Sequence, residues 1–395
     1  MTKRTFLFPI VLFFYITLYA QSADPVILSY QRNFIRASMS TKLELLNDAS
    51  RITTMNMVLL YIDALVFVRQ NYPYLGNDTQ LMDLAIIAAS KSTAYQDTSI
   101  LPVLKDVFSG ITEPKVKIAC LNNFAVLAKG RKDDINFLNE WFEQNLQGLK
   151  GSSISDIKTL AICASTLGIL GDSSSFPVLF DAATGNYDSS IVEASASALN
   201  MINDGYTENI LAILSQKNVK NMYAAYTFAM RKDSLQINDK GKIADAAFSA
   251  AVELKMSGSL DNQGILQSLL RDSIEKLTML SWSQTAPTVV KYFYNIQGEY
   301  KNDKSGIDTI LPVIRCMGAM GTTDSAQALS IFLGLLNSET EQKKIYNEQL
   351  MLTVIQALGD LGDKSAFDYL LYVGYLSYPE TVKKASRDAL ARLAW

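Results

Sequence analysis

Apolar positions along the chain recur in a hexad of the form apolar, any, any, apolar, small or polar, any. It appears as Leu43-Glu44-Leu45-Leu46-Asn47-Asp48, and again from Leu84, Phe124 and Leu167. It returns from Leu199, Leu277, Met317, Leu358 and Leu390. Successive copies start about 40 residues apart, the period of paired-helix repeats. The gap between Leu199 and Leu277 is close to twice that, so one copy is expected to lie hidden inside it. Apolar residues three apart share one face of a helix. The hexad therefore predicts the end of the first helix of a hairpin.

The residues after each hexad support a hairpin turn. Gly171 and Gly362 stand where a helix closes in the left-handed conformation. Asp172 and Asp363 stand where a side chain would cap the next helix. A second apolar run comes next, Phe176–Phe180 in one copy and Ala366–Leu371 in another, with Pro177 placed for a first turn. Turns are predicted near 47–50, 129–134, 171–175, 203–207, 321–325 and 362–365, with no sheet. Residues 24–36 are expected to form a helix covering the first copy, because the end of a repeat stack exposes an uncovered face. The stretches 147–155, 257–264 and 297–306, rich in Gly, Ser or Asn, read as loops at hairpin ends.

Residues 358–363, then Ala366, Leu370 and Leu371, then Thr381-Val382-Lys383-Lys384-Ala385-Ser386-Arg387-Asp388-Ala389-Leu390, resemble the HEAT-repeat pattern. Leu167–Asp172 resembles its Leu-Gly-x-Leu-Gly-Asp turn, and Val116-Lys117-Ile118-Ala119 resembles the opening of a repeat. The resemblance is closest over 355–395 and 155–185, and extends to 112–145 and 310–335. Lysine stands at 117 and 383, where the family pattern has arginine. The resemblance implies an all-α fold, a right-handed superhelical α-solenoid of about nine to ten HEAT-like hairpins over 23–395. It implies second helices lining the concave side and no specific activity, since a fold does not fix a function.

The first residues change the picture of where this repeat stack works. Lys3 and Arg4 precede an uncharged apolar run from Thr5 to Ala20, and Ala20-Gln21-Ser22 offers small residues for cleavage. Residues 1–22 read as a signal peptide, shorter than a comfortable membrane span, and the mature chain is expected to be exported, periplasmic or secreted. An uncleaved anchor is the alternative. No second apolar span of membrane length comes after it. Without Lys3 and Arg4 the chain holds 34 basic and 39 acidic residues, a net charge of −5. That balance, with no basic cluster, argues against nucleic acid and anionic lipid as partners. Hydrophobic residues at 49% and charged residues at 19% suit a packed chain rather than a disordered one.

Candidate chemistry is sparse. The sequence contains no histidine, which removes histidine-based nucleophilic catalysis and histidine metal sites. Cys120, Cys163 and Cys316 lack paired spacing. Cys120 and Cys163 occupy equivalent places in neighbouring copies, too far apart for a disulfide, so all three are expected as free buried thiols. Asp133 and Asp134 read as a solvated turn with a helix cap. The recurrent Asp48, Asp172, Asp204 and Asp363 read as caps rather than as a catalytic set. No cofactor motif is present.

Aromatic residues are the remaining candidates. Tyr369, Tyr372, Tyr375 and Tyr378 recur every three residues on an expected second helix, and Tyr292 and Tyr294 crowd an equivalent helix two copies earlier. Tyrosine is enriched in binding hot spots, while the alternative is packing between helices. A spacing of three drifts around a helix, so one or two of the first four rings are expected to be exposed. The expected function is an exported scaffold or adaptor that binds a protein partner through its solenoid surface. A carrier or chaperone for an extended peptide or small apolar ligand is the alternative, and a lyase-like enzyme a second.

Overall fold

The computed structural model describes residues 24–76, 78–150, 156–258, 262–343 and 345–394. The expected signal peptide, residues 1–22, lies outside them. Among the described residues the fold is all-α, without a strand. The helices are α1 (Pro25–Arg36), α2 (Met39–Ala49), α3 (Val58–Leu75), α4 (Thr79–Ser92), α5 (Leu101–Gly110), α6 (Pro114–Leu127), α7 (Lys132–Lys150), α8 (Ile157–Leu170), α9 (Phe176–Thr184) and α10 (Ser189–Met201). They continue as α11 (Tyr206–Ser215), α12 (Val219–Arg231), α13 (Ile237–Met256), α14 (Gln263–Leu280), α15 (Ala286–Lys301), α16 (Ile307–Met320), α17 (Thr323–Lys343), α18 (Glu348–Leu361), α19 (Phe367–Val373) and α20 (Glu380–Leu390).

Two compact units divide the chain, with the boundary passing through α9 and α10. In the first unit the hexad helices α2, α4, α6 and α8 pack each on the next, and α3 packs on α1 and α5. The hairpin partners α3/α4, α5/α6 and α7/α8 also touch. In the second unit α12, α14, α16, α18 and α20 form one row, and α11, α13, α15, α17 and α19 the other. First helices thus pack on first helices and second on second, as a repeat period near 40 requires. The hidden copy is α12/α13.

Apolar positions of the hexad face the core. The first apolar position is buried at Leu84, Phe124, Leu167, Leu199, Leu277, Met317 and Leu358, and half-buried in the terminal copies at Leu43 and Leu390. The turns fall where the sequence places them. Gly171, Gly321 and Gly362 take positive φ of 69°, 65° and 65°, closing α8, α16 and α18. Asp172 and Asp363 accept from the amides of Ser174 and Ser365 at 2.9 and 2.8 Å. As expected, α1 starts at a capping Asp24, and it packs on α2 and α3.

Several expectations are corrected. Asp48 is no cap: it accepts from the Tyr30 hydroxyl at 2.6 Å, so the recurrent aspartate position serves more than one purpose. Gly205, not Asp204, caps α11. Asp134 is not solvated but buried in the first turn of α7, between Lys105 and Arg131, each at 2.5 Å. Helices run further than the loop-like composition suggests: α7 continues to Lys150 and α15 to Lys301. Cys120, Cys163 and Cys316 are free and buried.

Candidate binding surfaces

Tyr369 and Tyr372 lie on α19, but that helix ends at Val373. Tyr375 and Tyr378 therefore sit in the following connection rather than on the expected helix. Pro379 accounts for part of this, since the residue before a proline is disfavoured in helical conformation. The four rings separate. Tyr375 is 76% exposed and Tyr372 40% exposed. Tyr369 is half-buried, and its ring fills the space beside Gly334, where a methyl group would approach it to 2.8 Å. Tyr378 is buried, its hydroxyl against Asn337 at 3.1 Å and Thr340 at 2.9 Å, its ring edge-on to Tyr346 at 5.3 Å. Tyr372 donates to Glu341 at 3.1 Å, and that bond raises the Tyr372 hydroxyl above its ordinary range.

The earlier pair also divides. Tyr294 is half-exposed on α15, while Tyr292 is buried, its ring edge-on to Phe248 at 5.5 Å. The exposed members share a row of helices with apolar residues that the hexad pattern does not single out. Ile331 and Leu335, one turn apart on α17, and Leu371 on α19 are exposed. Helix α17 packs between α15 and α19. Tyr294, Ile331, Leu335, Leu371 and Tyr372 thus lie exposed on three successive second helices, with Tyr375 in the connection after the last of them. A sparser apolar pair, Val126 and Ile169, is exposed on α6 and α8 of the first unit.

The opposite row of the second unit carries an open groove of about 690 Å³ along α16 and α18. Gln349, Thr353, Gln356 and Asp360 line it at the spacing of one helix face, with Arg315 across from them. Asp360 accepts from Arg392 at 2.7 Å and from Gln356 at 3.0 Å. Arg315 is exposed and makes no ion pair among the described residues. The polar stripe is legible in the sequence, yet a polar helix face is ordinarily only a solvated one. A smaller cavity of about 350 Å³ lies between the N-terminal parts of α14 and α16 and includes Tyr292.

Titratable groups elsewhere serve structure. The Cys120 thiol, buried, is pushed up to about 12, and Cys316 to about 11. Neither is a reactive thiolate at neutral pH. Among the described residues no group of three or more His, Cys, Asp or Glu side chains converges as a metal site. Among the same residues no helix is long and apolar enough to cross a membrane. No protein-family model matches the chain. A search of curated proteins likewise finds no match.

Proposed function

We propose that this chain is an exported scaffold of HEAT-type helical hairpins that captures a protein partner on the solvent side of α15, α17 and α19. The observation that carries the reading is the exposed set Tyr294, Ile331, Leu335, Leu371, Tyr372 and Tyr375. Large apolar and aromatic side chains clustered on a surface mark interaction sites, and aromatic anchors supply most of the energy at such sites. Their solvent exposure means that replacing them does not open the core. The surface tyrosines also lose little conformational entropy on binding, since each has only two side-chain torsions.

The groove along α16 and α18 supports a second reading, a holder of an extended peptide. Gln349, Thr353 and Gln356 on one helix face offer a row of polar partners to main-chain donors and acceptors of an extended segment, and Arg315 suits an acidic residue on it.

The test places a photo-crosslinking residue at position 375, at 353 and at 126 in three separate full-length proteins in the native cell envelope. A specific adduct from 375 that disappears in Tyr372→Ala/Leu371→Ser supports the scaffold. Adducts from 353 alone favour the peptide groove, and equal labelling from all three refutes both. Mass measurement of the same material reads the export step, with Gln21 or Ala23 expected as the first residue. An intact Met1 revives the anchor.

A further inference from the structure

The cavity between the N-terminal parts of α14 and α16 is built differently from the open groove. Its inner wall is Leu270, Ile274 and Val313, all buried. Tyr292 lines it with only 4% of its surface exposed. The ring is fixed by Phe248 on one side, and the Lys255 Nζ lies 5.6 Å from its centroid. The hydroxyl makes no hydrogen bond among the described residues and does not belong to their buried, partnerless polar atoms, so it is open to water. A tyrosine in a cavity wall whose hydroxyl makes no protein hydrogen bond leaves one donor free for whatever enters. Burial, then the Glu299 carboxylate, raises this hydroxyl above its ordinary range. It is therefore a protonated donor at neutral pH.

The mouth adds one cation and one anion. The Nε of Arg271 is held by Asp272 Oδ1 at 3.1 Å, and its terminal N–H groups make no other bond among the described residues. Asp308 is exposed at the second position of α16 and forms no ion pair among the described residues. Pro312, four residues on, has no N–H to give to the Asp308 carbonyl, so that carbonyl lacks its helical donor. Tyr292, Arg271 and Asp308 therefore supply donors and an acceptor around a pocket with an apolar wall. Its volume lies at the small end of the range for ligand sites, roughly 300–1,000 Å³.

We propose that this cavity binds a free α-amino acid with an apolar side chain. The carboxylate takes the Tyr292 hydroxyl and the Arg271 guanidinium. The ammonium takes the Asp308 carboxylate and its main-chain carbonyl. The side chain covers Leu270, Ile274 and Val313. A carboxylate alone would leave Asp308 repelling it, and an amine alone would face Arg271, so the pairing of both charges on one ligand is what the mouth selects.

Calorimetric titration of the full mature chain with L-leucine, L-phenylalanine, L-leucinamide and isocaproate tests the assignment. At least one of the two amino acids binds, and leucinamide and isocaproate bind at least about tenfold more weakly, as loss of a charge-assisted contact implies. Tyr292→Phe keeps the ring on Phe248, leaves the unliganded melting temperature in place and weakens binding about threefold to tenfold. Asp308→Asn weakens the amino acid and spares isocaproate. Absence of binding by both amino acids at millimolar concentration overturns the proposal. So does equal affinity for isocaproate, or an affinity that Tyr292→Phe leaves unchanged.

Discussion

The Lys117 ammonium donates to the Phe108 carbonyl at 2.5 Å while lying 4.7 Å from the centroid of the Phe108 ring. It closes the last turn of α5, where helical carbonyls lack partners, from the first turn of α6. Lys42 does the same for α1, over Phe34 and Phe67, and Lys232 donates to the Asn200 carbonyl over Tyr206. Lysine at 117 thus takes a helix-closing place. Burial draws Lys42, Lys117 and Lys232 below the ordinary lysine range, which shows that the charge is held at a cost.

Replacing Lys117 with methionine keeps the apolar stem and removes the bond. A hydrogen bond to a charged group contributes about 1.5–3 kcal/mol, part of which is offset by relief of the buried charge. The expected net loss is about 1 kcal/mol, read as a lower urea midpoint of the first unit. An unchanged midpoint would show that the Phe108 carbonyl finds water as readily.

Asp134 gives a pH-dependent prediction. Burial raises its carboxyl pKa, but the hydrogen bonds and charges of Lys105 and Arg131 outweigh burial and hold it below the ordinary 3.8. A depressed carboxylate contributes stability above its unfolded value, and that stability is lost as pH falls through the folded one. Asp134→Asn should therefore destabilise the protein by about 2 kcal/mol or more at pH 7, since it strands two cations beside a buried site. The gap to wild type should narrow only below pH 3.8. A difference that stays constant from neutral to acid pH would contradict the ion-pair account.

The fold is legible in the sequence where the period is clean. Leu167–Asp172 and Leu358–Asp363 locate their helices, turns and caps because the glycine and aspartate there act locally. The copy α12/α13 stays hidden because no turn glycine comes after α12. Its helix ends at Arg231, and the capping Lys232 is buried and held by Asn200 from the preceding copy. A contact between copies leaves no local mark. Asp134 is misread for the same reason, since Lys105 lies a hairpin away. The tyrosine spacing does predict a mixture of exposed and buried rings, but not that α19 stops at Val373. Ile331 and Leu335 lie outside the hexads, and period alone does not say which apolar face of α17 is covered.

Two glycines in helices should respond in opposite directions to alanine. Gly298 in α15 has nothing within 4 Å of a built methyl, so Gly298→Ala should stabilise by about 0.5–1 kcal/mol through backbone entropy. Gly318 in α16 meets the Ala357 Cβ at 2.9 Å and its Cα at 3.0 Å. There the neighbouring backbone of α18 must move, and overpacking costs about 1–3 kcal/mol. Gly318→Ala should lower the melting temperature while Gly298→Ala raises it slightly. A gain at both positions would mean that α16 and α18 separate freely.

Tyr375 and Tyr378 should separate binding from stability. Tyr375 is 76% exposed, so Tyr375→Ala should change stability by less than about 0.5 kcal/mol. Tyr378 is buried, and its hydroxyl ties Asn337 and Thr340 of α17 to the connection after α19. Tyr378→Phe leaves Tyr346 its edge-on partner but removes those hydrogen bonds, so a loss of about 1–2 kcal/mol is expected. Tyr378→Ala also opens a cavity, and loss of a buried aromatic costs about 3–5 kcal/mol. Thermal melts of the three variants read this order directly. If Tyr375→Ala destabilises as much as Tyr378→Phe, the Tyr375 ring is packing material and leaves the proposed partner surface. If it does not, any loss of crosslinking at Tyr372 and Leu371 variants reports contact with a partner rather than unfolding, because the fold beneath that surface is held by Tyr378.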